Sequence, residues 1–115
     1  MKITLLATSD VHGYIYPTNY ATDQEQPYGY AKIASRIKQI RETSPDPLYV
    51  IDNGDFIQGA PFSYYLAKQQ DHHVSELTNV LNEMDVDASI LGNHEFNYGL
   101  SYLEQAIASY QHPVL

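Results

Sequence analysis

Short apolar runs alternate with amphipathic segments along this chain, and the alternation predicts the order of its elements. Each apolar run is too short for a helix and is followed by polar residues, which is typical of a buried strand. Between the runs, apolar residues recur at helical spacing beside charged residues. Strands that alternate with helices favour an α/β fold with a mainly parallel sheet and right-handed crossovers. We expect strands over 3–7, 48–51 and 88–91, and helices over 31–41, from residue 61 to about 69, and along the apolar stripes from 74 to 84 and from 100 to 110.

Two segments fall outside that alternation. Residues 13–29 are rich in Gly, Pro, Tyr and Asn, so we expect a long loop, and loops of this length inside a domain are usually functional. Pro113-Val114-Leu115 predicts the first residues of a fourth strand. We therefore expect a part of a longer protein, with an unfinished sheet edge through which copies could self-associate. The alternative is a chain that uses this strand to close its own sheet.

Composition narrows the classes of partner. The formal net charge of -8 disfavours binding to nucleic-acid polymers, which need a basic surface, and it suits a site for cations. The chain has no cysteine, which excludes a disulfide frame and a thiolate zinc site. No apolar run is long enough to span a membrane, and the apolar start at Ile3 is too short for a signal peptide. We expect a cytoplasmic protein without a membrane partner, or an exported one if a leader has been removed.

Residues with metal-binding side chains follow each of the three predicted strands. Asp10 and His12 are two positions apart, and in extended backbone such side chains point to the same side. Asp55 could place one carboxylate oxygen on each of two ions, and Asn93 offers an amide oxygen. Because the carboxyl ends of parallel strands meet at one edge of a sheet, these side chains should converge.

Each of these residues also has a structural interpretation. Asp10 could cap the following turn, Asp55 could form an Asx-turn, and Asn93 could occupy a left-handed turn. One such motif alone is more often structural than catalytic. Three ligand-type motifs at three successive strand ends favour a metal site over these explanations.

The three motifs, in their order along the chain, carry a family resemblance. They are Asp10-Val11-His12, then Gly54-Asp55-Phe56-Ile57-Gln58-Gly59, then Gly92-Asn93-His94-Glu95-Phe96. In this order they resemble the calcineurin-like metallophosphoesterases, and most of all the branch of 5′-nucleotidases, UDP-sugar hydrolases and 2′,3′-cyclic-nucleotide 2′-phosphodiesterases. The resemblance implies a four-layer αββα sandwich, of which residues 1–115 would be the amino-terminal part of the catalytic domain.

The resemblance also implies two divalent metal ions, with Mn, Zn or Fe as the expected metals. Asp10, His12 and Asp55 would bind the first ion, and Asp55 and Asn93 would bind the second. His94 would contact the scissile phosphate. The family completes its metal sites with further histidines, including a Gly-His-x-His pair that this chain lacks. The other histidines of this chain do not fall in that context; they are His72, His73 and His112. We therefore expect the 115 residues alone to be inactive.

Asn97 bears on the choice of substrate. In the 5′-nucleotidases an Asp at this place pairs with the catalytic histidine, whereas Asn97 resembles the cyclic-nucleotide subgroup. We therefore expect His94 and Asn97 to be catalytic, and the substrate to be a 2′,3′-cyclic nucleotide or a 3′-nucleotide. The alternatives are a 5′-nucleotidase or UDP-sugar hydrolase acting on a nucleotide or other small phosphoester, and a truncated module without catalytic activity. Glu95 is expected to support the site or the fold, and the role of Gln58 is left open.

Overall fold

A computed structural model describes residues 1–71 and 73–115. Its centre is a parallel sheet in the order β1-β2-β3, with β1 at Thr4–Thr8, β2 at Leu48–Asp52 and β3 at Ala88–Ser89. This confirms the predicted α/β fold with a parallel sheet. The third strand is shorter than expected, although Ile90 N still donates to Asp52 O at 2.8 Å.

The sheet continues beyond β3 at the predicted fourth strand. Val114 forms a parallel bridge with Ser89. Ser89 N donates to Pro113 O at 3.0 Å, and Leu115 N donates to Ser89 O at 2.8 Å. The predicted beginning of a strand is therefore paired in the expected place.

The helices fall where helical spacing predicts them. The bounds are Tyr30–Thr43 for α1, Pro61–Ala67 for α2, Ser75–Glu83 for α3 and Leu100–Ser109 for α4, with a 3₁₀ helix at Asn93–Phe96. Pro61 occupies the first turn of α2, where its missing N–H has no intrahelical partner to lose. Residues 13–29 form the predicted loop, which carries one isolated bridge between Thr18 and Glu25.

The prediction of fully buried strands is wrong for one face of the sheet. Val50 is fully buried in a core that includes Ile37 of α1, Leu77 of α3 and Ala106 of α4. On the opposite face, the paired residues Leu5 and Tyr49 are 65% and 47% exposed. The described residues thus form one sheet and one helical layer, and the helices cover only one side of the sheet.

The buried face of α4 also differs from the predicted stripe. The sequence pattern places Leu100 and Ile107 in the core with Leu103, but Leu100 is 65% exposed and Ile107 is 38% exposed. The helix instead buries Tyr102, Leu103 and Ala106. The face of α4 that meets the core is therefore the one that carries Tyr102 and Ala106.

Within residues 1–71 and 73–115, no helix combines the length and the apolar character needed to cross a bilayer.

Candidate metal centre

The loops after the strands meet at one edge of the sheet. Asp10 follows β1, and its N–H donates to Gly54 O in the loop after β2 at 3.0 Å. His12 N donates to Asp55 O at 2.9 Å. These backbone bonds hold the first two predicted motifs side by side.

Three of the predicted ligands converge. One ligand atom each from Asp10, His12 and Asp55 lies within 4.8 Å of the other two. Asp55 is buried, His12 is partly buried and Asp10 is exposed, so the group opens toward solvent on the Asp10 side. Two carboxylates and an imidazole are donors typical of a divalent cation, and a cation would relieve the repulsion between the carboxylates. The donor set therefore fits a metal ion.

The backbone at these residues is not extended, contrary to the expectation for Asp10 and His12. Their φ angles are 55° and 52°, and the φ angle of Asp55 is 55°. All three lie in the left-handed region, where a side chain costs roughly 1–2 kcal/mol per residue. Asp and His tolerate this region better than most residues do. The side chains therefore converge through tight turns rather than through the alternation of a strand, and such strain is concentrated at functional sites.

His12 is oriented by the chain that follows β2. Its Nδ1 lies 3.0 Å from the backbone oxygen of Gln58, so Nδ1 carries the proton and donates to that oxygen. Its Nε2 faces Asp10 and lies 4.0 Å from Oδ1. The ring therefore directs Nε2 toward the site, the arrangement found in histidine ligands with an outer hydrogen bond. Gln58 contributes its backbone carbonyl, which the sequence motif did not indicate.

His94 lies beside the same group. Its backbone N–H donates to Asp55 Oδ1 at 2.8 Å, and its ring stands edge-on to that of His12 with centroids 5.2 Å apart. Its Nδ1 is buried and has no hydrogen-bond partner within residues 1–71 and 73–115. Buried polar atoms without partners are rare in proteins, so this nitrogen suits a ligand bound at the site.

The two predicted asparagines lie on either side of His94 in the chain. Asn93 begins the 3₁₀ helix and is exposed one residue before His94. Asn97 is exposed, and its N–H donates to His94 O at 3.2 Å. The described part of the chain shows no bond from the Asn97 side chain to His94 Nδ1. The metal-binding role of Asn93 and the catalytic role of Asn97 stay predictions.

Neither His73 nor His112, the two other histidines that the structure describes, belongs to this group. His73 is exposed. His112 Nε2 lies 2.7 Å from Ser89 Oγ, and burial lowers the pKa of its imidazole. His72 lies outside the described residues.

Two buried carboxylates lie beneath the site: Asp52, which was not recognised from the sequence, and Glu95, which was expected to support the site or the fold. Asp52 accepts from Thr8 Oγ1 at 2.6 Å and from the Tyr30 hydroxyl at 2.5 Å. Burial raises the pKa of Asp52, and the bonds from Thr8 and Tyr30 oppose that rise. Gly54 N lies 3.4 Å from its other oxygen, so this cluster supports the turn that carries Asp55. The second carboxylate is Glu95, which is 3% exposed.

These features agree with the family comparison. The family described as Calcineurin-like phosphoesterase matches residues 3–114. The chain therefore belongs to the calcineurin-like phosphoesterases, and its relatives are hydrolases that act on phosphoester bonds. Members of this family use divalent metals, in agreement with the donor set.

Individual relatives point to nucleotide chemistry. The chain is 38% identical over 122 residues to the trifunctional nucleotide phosphoesterase protein YfkN of Bacillus subtilis, covering 100% of the chain and 8% of that protein. It is 36% identical over 118 residues to the 2′,3′-cyclic-nucleotide 2′-phosphodiesterase/3′-nucleotidase of Haemophilus influenzae, covering 100% of the chain and 18% of the relative. It is 32% identical over 120 residues to the snake venom 5′-nucleotidase of Naja atra, covering 99% of the chain and 21% of that relative.

The fold agrees with a solved structure as well. The crystal structure of the calcineurin-like phosphoesterase YfkN from Bacillus subtilis superposes with a TM-score of 0.87 and 36% identity. The match covers 98% of this chain and 36% of the solved one. The chain thus spans a minor share of the relatives that it resembles.

Proposed function

We propose that the protein containing this chain hydrolyses nucleotide phosphoesters with divalent metal ions, as a 2′,3′-cyclic-nucleotide 2′-phosphodiesterase and 3′-nucleotidase. The observation that carries the proposal is the convergence of Asp10, His12 and Asp55 at the sheet edge. Residues 1–115 would be the amino-terminal part of its catalytic domain. The Haemophilus influenzae relative, whose activity has this name, supports the choice of substrate.

Asp10, His12 and Asp55 would hold one ion, and Asp55 and Asn93 would hold the other. Metal ions bound here would supply a water of lowered pKa and would polarise the phosphoryl oxygens. Asp55 is suited to bind both ions because its carboxylate is held in place by a hydrogen bond, which Oδ1 accepts from His94 N. His94 would donate to a phosphate oxygen, where charge spreads in the transition state, and would protonate the leaving oxygen.

A second candidate is a 5′-nucleotidase, which the similarity to the Naja atra enzyme favours. Asn97 distinguishes the two candidates, since an Asp is expected at this place in 5′-nucleotidases. A UDP-sugar hydrolase of the same branch and a catalytically silent module are the remaining alternatives from the sequence.

The test uses the full-length protein, stripped of metal with a chelator and reloaded with Mn²⁺ or Zn²⁺. We expect kcat/KM for 2′,3′-cyclic AMP and 3′-AMP to exceed that for 5′-AMP, and we expect chelator to abolish all three activities. Asp55→Asn should lower kcat/KM at least about 100-fold. The control Asp71→Asn changes an exposed carboxylate and should leave kcat/KM unchanged. A preference for 5′-AMP would support the second candidate, and full activity in chelator would contradict both.

The sequence-based expectations about partners and location stay predictions. They are the absence of nucleic-acid polymer and membrane partners, self-association through the sheet edge, and a cytoplasmic location. Sedimentation velocity and cell fractionation test the last two.

A further inference from the structure

Glu95 places a buried carboxylate between two of the loops that form the site. Its Oε2 accepts from Asp55 N and from Gly92 N, both at 2.7 Å. Its Oε1 accepts from Phe56 N at 2.5 Å and from Ile57 N at 3.3 Å. One side chain therefore binds four backbone N–H groups from the loops after β2 and β3.

The Glu95 carboxylate is buried without an ion pair in the part of the chain that the structure describes. None of the ion pairs within residues 1–71 and 73–115 includes Glu95, although it is 3% exposed. Three of its four donors are the successive N–H groups of residues 55–57, and such runs form concave sites for anions. The carboxylate is thus held by backbone dipoles, and every one of those dipoles belongs to a loop of the site.

The bonds of Glu95 act directly on the backbone that carries Asp55. Asp55 has a left-handed φ of 55°, and its Oδ1 accepts from His94 N at 2.8 Å. Glu95 follows His94 in the chain and binds Asp55 N. The two bonds run in opposite directions between the loops, so they fix the Asp55 carboxylate relative to Asn93 and His94.

We propose that Glu95 is a positioning residue of the metal centre, which holds the Asp55 carboxylate in the place from which it would bind metal ions. This inference rests on the proposed function, because it assigns a role at the same site. Both oxygens of the side chain are bonded to backbone N–H groups, so it would act through the backbone of residues 55–57 and 92. The spacing of Gly92 and Glu95 matches that of a capping box, but this local role explains only the bond to Gly92.

Glu95→Gln separates this role from simple filling of space. Glutamine keeps the volume, but its single carbonyl oxygen can accept from only one of the two N–H pairs. Its amide NH₂ would face the other pair, donor against donor. The matched control is Glu104→Gln, which makes the same chemical change at an exposed position of α4.

The experiment measures Mn²⁺ binding by the metal-free full-length protein, with calorimetric titration at a temperature where each variant is folded by circular dichroism. We expect Glu95→Gln to weaken Mn²⁺ affinity at least about tenfold, as loss of an outer-shell partner does. Glu104→Gln should bind as the wild type does. Raising the Mn²⁺ concentration should also restore part of the kcat/KM lost by Glu95→Gln, because the defect lies in holding the ions.

The outcomes are distinct for the two proposals. Wild-type Mn²⁺ affinity in folded Glu95→Gln overturns the positioning role alone. A wild-type protein that binds Mn²⁺ but does not hydrolyse nucleotides overturns the proposed function alone. If Glu95→Gln does not fold, Glu95→Asp replaces it, since it keeps the charge but is shorter by one methylene. Weakened affinity in this variant supports the positioning role, and unchanged affinity overturns it.

Discussion

At Gly92 the loop after β3 packs tightly against the loop after β2. A methyl group at this position would overlap the Asp55 carboxylate and lie 2.7 Å from Asp55 N. The φ angle of Gly92 is -83°, which any residue can adopt. Glycine is therefore required here by lack of space and not by backbone conformation.

Gly92→Ala should displace the Asp55 carboxylate and weaken Mn²⁺ affinity about tenfold or more, by the same logic that applies to outer-shell contacts. Calorimetric titration of the full-length protein measures the effect. Gly99→Ala is the control: its methyl group meets open space, but its φ of 88° strains the backbone. The control should lose about 1 kcal/mol of stability and keep its metal affinity. Equal metal affinities in the two variants would contradict the argument.

At the scale of single residues, the sequence predicted which side chains converge better than it predicted how. Asp10, His12 and Asp55 were recognisable because each follows an apolar run. Their left-handed backbone was not, because pattern arguments give no φ angle. Glu95 was expected to support the site or the fold, but its partners were not predictable, since three of its four bonds reach backbone groups 38 to 40 residues away.

At the scale of elements, α4 carries one buried leucine and one exposed leucine. Leu103 is 4% exposed and Leu100 is 65% exposed. Leu103→Ala should lower the free energy of unfolding by about 2–5 kcal/mol, because it leaves a cavity in the core. Leu100→Ala should change it by less than about 0.5 kcal/mol. Urea unfolding followed by circular dichroism measures both, and similar losses in the two variants would mean that the helix is rotated differently.

The elements show where apolar patterns stop being informative. The run from Ile3 predicted β1 correctly, but an apolar run alone does not tell whether one or both faces are covered. Leu5 is exposed for that reason, although its neighbour Leu6 packs against the core. The pattern also did not predict that Tyr102 is buried, because tyrosine is found both in cores and at surfaces.

At the scale of the whole molecule, the donors brought together in the described part of the chain bear on the two-metal site that we propose. The described residues bring together Asp10, His12 and Asp55, which are fewer donors than two ions require. We predict negligible phosphoesterase activity for the purified 115-residue chain with added Mn²⁺ or Zn²⁺, measured against the full-length protein under the same conditions. Robust metal-dependent turnover would contradict this prediction and would mean that another donor completes the site.

The left-handed backbone at Asp10, His12 and Asp55 limits how far this protein can be stabilised by engineering. Glycine adopts this conformation without steric cost, so substitution by glycine at these three positions would relieve backbone strain and could stabilise the fold. Each glycine would remove a carboxylate or an imidazole from the metal centre, and the gain in stability would be accompanied by a loss of function. Thermostable variants that remain active should therefore carry their substitutions elsewhere and keep all three strained residues.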